Sequence, residues 1–94
     1  MSQFITLITN GLLPADGNIS IISCLGLSRQ VNVPIPTVEP SSDAWALLER
    51  RIGNNDPTYS VEVYSKNSEY IATLGPRTSM AIVYQPSAQR WWLG

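Results

Sequence analysis

The residues best suited to recognition chemistry gather late in the chain. Tyr59, Tyr64, Tyr70, Tyr84, Trp91 and Trp92 all follow residue 58, and Arg77 and Arg90 flank the segment that carries Tyr84. Exposed rings of this kind stack on bases or flat ligands, and nearby guanidinium groups bind phosphate. This makes Arg77, Arg90, Tyr84 and Trp92 the candidates for a ligand or single-stranded nucleic-acid site. The same rings can instead pair across strands and fill a small core. The Lys/Arg-Gly run with alternating aromatics that marks RNA-recognition sheets is absent. In Arg90-Trp91-Trp92-Leu93 the two tryptophans are adjacent, and adjacent residues of a strand point to opposite sides. If one ring packs inward, the other needs a covering element, a second subunit or a ligand. Trp91, Trp92, Leu93 and Tyr84 are therefore the interface candidates.

Catalytic chemistry finds fewer residues to work with. The chain has no histidine, which removes an imidazole base, a histidine-dependent triad and imidazole metal ligation within one chain. The single cysteine, Cys24, cannot form an intrachain disulfide or a thiolate-rich zinc site, and its neighbours Ile21, Ile22, Leu25 and Leu27 suit an inert buried thiol. Asp16, Glu39, Asp43, Glu49, Asp56, Glu62 and Glu69 are dispersed and lack calcium-loop spacing. Asp16-Gly17-Asn18 and Asn54-Asn55-Asp56 read as turns. A carboxylate-dependent enzyme would need Glu62 or Glu69 enclosed with a partner such as Tyr64 or Lys66. No dinucleotide fingerprint or phosphate-binding loop occurs, so neither a metal nor another cofactor is expected.

Charge and hydropathy point to partners other than phosphate or lipid. Six basic and seven acidic residues give a formal charge of −1, with no basic run. That balance disfavours a protein whose affinity comes mainly from neutralising phosphates. The apolar stretch from Phe4 to Leu13 lacks a basic flank and is interrupted by Thr6, Thr9, Asn10 and Gly11, and no segment is long and apolar enough to span a bilayer. A cytoplasmic or otherwise intracellular soluble protein with no membrane partner is the expectation. With only 14% charged residues, the chain has few devices against self-association.

The elements that would position these residues are short. Ser42 or Asp43 suits a helix N-cap and Gly53 a C-cap, while Ala44, Trp45, Leu48 and Ile52 share one side of a 3.6-residue period with Asp43, Ala46 and Arg50 opposite. This predicts a helix over 42–52. Strands are expected at Gln3 to Thr9, with both faces apolar or β-branched as in a central or interface strand, at Ile19 to Leu25, and at Leu27 to Ile35 with Val31, Val33 and Ile35 on one side. Gly26 suits a bulge or close approach. Leu12 and Leu13 are expected to cap the core. Pro34, Pro36 and Pro40 make 34–41 a connector. Thr58 to Ser65, Glu69 to Leu74 and Thr78 to Gln85 then alternate as a three-stranded meander, followed by a short strand near Gln89 to Leu93.

Ninety-four residues suffice for one domain, here 1–94, with strand-rich 3–35, connector 34–41, helix 42–52 and strand-rich 58–93. The expected fold class is α+β: a small, curved, mostly antiparallel sheet or partly open barrel covered by one short central helix. The expected function is a noncatalytic interaction or structural subunit that joins to itself or another protein through an apolar strand face and the C-terminal aromatics. A single-stranded nucleic-acid-binding module and a small carboxylate-dependent enzyme are the alternatives.

Overall fold

The computed structural model describes residues 2–6, 11–15, 19–43 and 48–94. They form nearly all sheet, in nine strands: β1 (Ser2–Thr6), β2 (Gly11–Leu12), β3 (Ile19–Ser23), β4 (Arg29–Asn32), β5 (Glu49–Asn54), β6 (Val61–Ser65), β7 (Glu69–Leu74), β8 (Ser79–Gln85) and β9 (Arg90–Leu93). Sheet A has the order β1-β3-β5-β8-β9, and sheet B the order β2-β4-β6-β7. The first six strands alternate between the sheets, so β1, β3 and β5 are parallel neighbours in one and β2, β4 and β6 in the other. Parallel neighbours need a crossover connection. Each crossover here runs through a strand of the opposite sheet. Antiparallel pairs finish both layers: β7 on β6, β8 on β5 and β9 on β8.

The expected α+β class with a central helix is therefore corrected to two mixed sheets. Within 42–52, Ser42 and Asp43 are not helical, 44–47 lie outside the described residues, and Glu49–Asn54 is the middle strand of sheet A. Along β5, Arg50, Ile52 and Asn54 are buried while Glu49 and Arg51 are exposed and Gly53 is half-buried. The strand period was hidden because two of its three inward residues are polar. A mostly antiparallel sheet is also overturned, because the first six strands pair in parallel. The predicted meander breaks after β7, where the chain crosses to sheet A instead of pairing β8 with β7.

Other strands follow the alternation of their side chains. Ile22 on β3, Val31 on β4, Val61 and Val63 on β6, and Ile82, Tyr84 and Trp91 on β8 and β9 join Leu13, Cys24, Val33, Ile52 and Leu74 in one buried cluster between the sheets. Leu13 caps this core as expected, while Leu12 is exposed. In β7 the alternation shifts at a bulge: Val63 pairs with Ala72 and Tyr64 with Tyr70, leaving Ile71 as the extra residue. Ile71 packs against the core and Tyr70 faces solvent. Gly26 sits in a tight corner between β3 and β4 where Leu25 and Gly26 both have positive φ, 54° and 81°. The Leu27 amide closes that turn on the Cys24 carbonyl at 3.4 Å.

The proline-rich connector is pinned across the core. Trp91 Nε1 donates to the Pro34 carbonyl at 3.0 Å, and the Tyr84 hydroxyl donates to Glu39 Oε1 at 2.5 Å. Pro36 is buried beneath the same arm. The Tyr84 and Trp91 rings lie 5.2 Å apart at 56°, so one aromatic pair fills the core and holds the connector.

A charged side chain completes the interior. Arg50 is only 1% exposed; its Nη1 donates to the Pro14 carbonyl at 2.7 Å, and Nη2 and Nε donate to Ser20 Oγ at 2.8 and 3.3 Å. A guanidinium taken out of water is tolerated only when its donors find acceptors. Had residues 42–52 been a helix with Arg50 on the wet side, its truncation would be nearly neutral. Arg50→Ala is expected to lower unfolding stability by about 3 kcal/mol, through a cavity and unpaired buried acceptors, and Arg50→Met by less because it refills the volume. Urea titration followed by tryptophan fluorescence measures both; an unchanged midpoint for Arg50→Ala would remove the guanidinium from the list of core supports.

Candidate functional site

Sheet A has an outer face set by the residues that alternate with its buried ones. Its cross-strand rungs run Ile19–Arg51–Ala81 and Ile21–Gly53–Ser79 across β3, β5 and β8, and Glu49–Val83–Trp92 across β5, β8 and β9. Ile19, Ile21, Ala81 and Val83 are half-buried, whereas Trp92 remains 37% exposed. The adjacent tryptophans thus divide as a strand requires: Trp91 faces the core at 2% exposure and Trp92 faces outward. Leu93, on the other side of β9 and paired with Ile82 at its end, is 57% exposed.

Trp92 is held in place on this face. Its Nε1 donates to Gln85 Oε1 at 2.9 Å, and the Arg90 guanidinium carbon lies 4.3 Å from the ring centroid. Arg90 is itself anchored by Glu69 Oε2 at 2.9 Å and by the Tyr70 carbonyl at 3.3 Å. Its Nε is buried and has no hydrogen-bond partner among the described residues. A cation over an indole face is attractive, and both partners here are fixed by further polar contacts.

The remaining sequence candidates fall elsewhere. Tyr84 lies in the core, where burial first, and then its bond to Glu39 and that carboxylate's charge, push its phenol well above the ordinary value. Arg77 precedes β8 and Arg90 follows it, so a strand of about 20 Å separates them. Glu62 accepts from Gln30 Nε2 at 3.0 Å on the surface of sheet B, and Glu69 is paired with Arg90. Tyr64 meets Tyr70 edge-on at 5.7 Å, and Lys66 donates to Gln89 Oε1 at 3.0 Å. The Glu62 and Tyr64 contacts lie within sheet B, whereas those of Lys66 and Glu69 bridge it to the β8–β9 end of sheet A.

A groove of about 370 Å³ also opens on the outer face of sheet A, floored by Ile19, Ile21 and Gly53 and rimmed by Arg51, Asn55 and Arg77. Sequence reading missed it because its two arginines are far apart in the chain. Both line this groove only because β5 pairs with β8. Arg77 adopts a positive φ of 55° in the turn before β8, where its amide donates to the Asp56 carbonyl at 3.1 Å.

Beneath this turn lies a polar cluster of Cys24, Asn54 and Asp56. Asn54 Nδ2 donates to the carbonyls of Tyr59, Gly75 and Leu74 at 2.8, 3.1 and 3.3 Å. Its Oδ1 accepts from the Asp56 amide at 2.9 Å and from Cys24 Sγ at 3.6 Å. Burial raises the Cys24 thiol's pKa, the nearby Asp56 charge raises it further, and Arg29 opposes both. The thiol is thereby kept protonated, contrary to what a nucleophile needs. Asp56 Oδ1 accepts from the amides of Tyr59 and Thr58 at 2.7 and 2.8 Å, which is turn chemistry. Those bonds hold its carboxyl below the ordinary range, aided by the Gly26 amide and Arg77 and opposed by burial.

Comparisons with protein-family models, curated proteins and solved structures give no match.

The Asp56 geometry sets a direction for acid sensitivity. Its folded pKa is depressed, so its contribution is present above the unfolded value of about 4 and is lost as pH falls through the folded value. Asp56→Asn keeps an oxygen acceptor for the two amides but cannot titrate. Its melting temperature should therefore fall less steeply than wild type below about pH 4. Thermal melts from neutral to acid pH test this, and parallel profiles for the two proteins would refute the assignment.

Proposed function

We propose that this chain is a noncatalytic interaction subunit that associates with itself through the outer face of sheet A and its C-terminal aromatics. The observation that carries the reading is the outward Trp92, partly exposed and fixed by Gln85 and Arg90, with an exposed Leu93 following it at the strand end. An aromatic anchor held in one orientation gives up little side-chain entropy on docking, and tryptophan and arginine are the residues on which interface energy concentrates. The half-buried Val83 and Ala81 continue an apolar strip from Trp92 along β8, and the half-buried Ile19 and Ile21 form a second strip on β3, beyond the exposed Glu49 and Arg51 of β5. With few charges on the chain as a whole, little electrostatic repulsion opposes a second copy approaching this face.

Trp92→Ala should weaken self-association by about tenfold or more, since a central anchor contributes upwards of about 1.4 kcal/mol. Trp91 stays in the core and the fold is retained. Sedimentation equilibrium across the micromolar range reads the effect directly. A wild-type protein that stays monomeric throughout, or a mutant with an unaltered dissociation constant, would rule the surface out.

A further inference from the structure

We propose that β1 is a second association edge, at which two copies of the chain join antiparallel about a twofold axis, so that sheet A runs continuously from one protomer into its partner. This goes beyond the Trp92 surface and rests on different residues. The two ends of the strand stack are finished differently. At the late end, the Trp91 amide of edge strand β9 donates to Ser65 Oγ on β6 at 2.9 Å, and Arg90 reaches across to the Tyr70 carbonyl and the Glu69 carboxylate of edge strand β7. The late ends of the two sheets are therefore bridged to each other by side-chain bonds. At the early end, β1 closes sheet A and β2 closes sheet B, and among the described residues no strand pairs with the outer side of either.

An unpaired edge is a template for another strand unless something guards it. The usual guards are charge, proline, a bulge or great shortness. The sequence of β1, Ser-Gln-Phe-Ile-Thr, has neither charge nor proline, and Asp16 is the first charged residue of the chain. All five residues of β1 pair with β3 in unbroken register from Ser2↔Ile19 to Thr6↔Ser23, so no bulge twists the edge away. β2, by contrast, has only two residues.

The partner is a second copy because β1 is complementary to itself and the opposite edge is tied to sheet B. A twofold axis centred on Phe4 sets Phe4 opposite Phe4, Gln3 opposite Ile5 and Ser2 opposite Thr6, with no like charges opposed. Joining β1 to β9 of the next molecule would instead require breaking the Trp91–Ser65 bond. An isologous pair closes after two copies, whereas head-to-tail joining would not.

The test uses the full chain and two charge variants. Phe4→Lys and Phe4→Asp each place like charges opposite one another at the axis, so each alone should lose the β1 contact. Mixing them should restore it as a one-to-one heterodimer. Sedimentation equilibrium reads the masses, and hydrogen exchange on the wild type needs no variant: amides of residues 2–6 should exchange more slowly as concentration rises. Concentration-independent exchange there, or an equimolar mixture that stays monomeric, overturns the proposal. Trp92→Ala separates the two surfaces. If Trp92→Ala reduces the mass and the Phe4 variants do not, the β1 edge fails and the Trp92 reading stands. If the reverse is found, the β1 edge stands alone.

Discussion

The arrangement depends on two buried polar side chains in the central strand of sheet A. Arg50 and Asn54 both point into the interior from β5, on either side of Ile52. Arg50 ties β5 to Ser20 on β3 and to the backbone at Pro14, on the parallel side of the sheet. Asn54 ties it to the carbonyls of Tyr59, Leu74 and Gly75, in the segments that enter β6 and leave β7. One strand therefore joins the parallel coil to the antiparallel finish, and its bonds are directional where apolar contacts are not. Hydrophobic burial alone would accept a β5 slipped along its axis by two residues, since that keeps the same face inward. A slip would separate Arg50 from Ser20 and strand Asn54 among carbonyls it could no longer reach. The cost of unpaired buried groups fixes the register.

The same residues explain why the strand was illegible. Sequence periodicity finds a strand when inward positions are apolar, and it succeeds where that holds: Val31 and Val33, which share one side in the sequence pattern, are both buried, whereas Tyr84, a candidate for an exposed site, is buried as well. In β5 only Ile52 carried the signal, while Arg50 looked like a solvent-facing helical residue. Leu48 and Ile52 lie four apart, a spacing that a helix and alternate positions of an extended chain both place on one side. Capping residues at both ends then supported the wrong period. Sheet membership was hidden for a different reason. Alternation is local, whereas the parallel partners β3 and β5 are joined by a connection that carries β4 and a long proline-rich arm. No nearest-neighbour rule finds such a pair.

The aromatic segment was read more closely because its argument was geometric. Adjacent tryptophans on one strand had to divide, and they did, with Trp91 inside and Trp92 outside. What the sequence did not reveal was the second task of the inward rings. Trp91 bonds to Pro34 and Tyr84 to Glu39, so the connector is held by the strand pair farthest from it in sequence. A proline-rich arm has few backbone donors for a sheet ladder, and the buried rings hold it instead by donating to its Pro34 carbonyl and its Glu39 carboxylate.

These contacts also separate a perturbed titration from a functional one. Shifted pKa values gather at active sites, but they also arise wherever an ionisable group is engaged in holding a fold together. The phenol of Tyr84, the thiol of Cys24 and the carboxyl of Asp56 are all shifted, and each has a bonded partner that the fold needs. Tyr84 anchors the connector, Cys24 caps the Asn54 oxygen and Asp56 closes a turn. None of the three has an unengaged polar atom aimed at a shared cavity in the geometry described above. The features that face outward are instead an aromatic ring fixed at one edge of sheet A and an uncharged strand at the other. The shifts of these three groups are thus accounted for by burial and by the bonds through which each holds the fold.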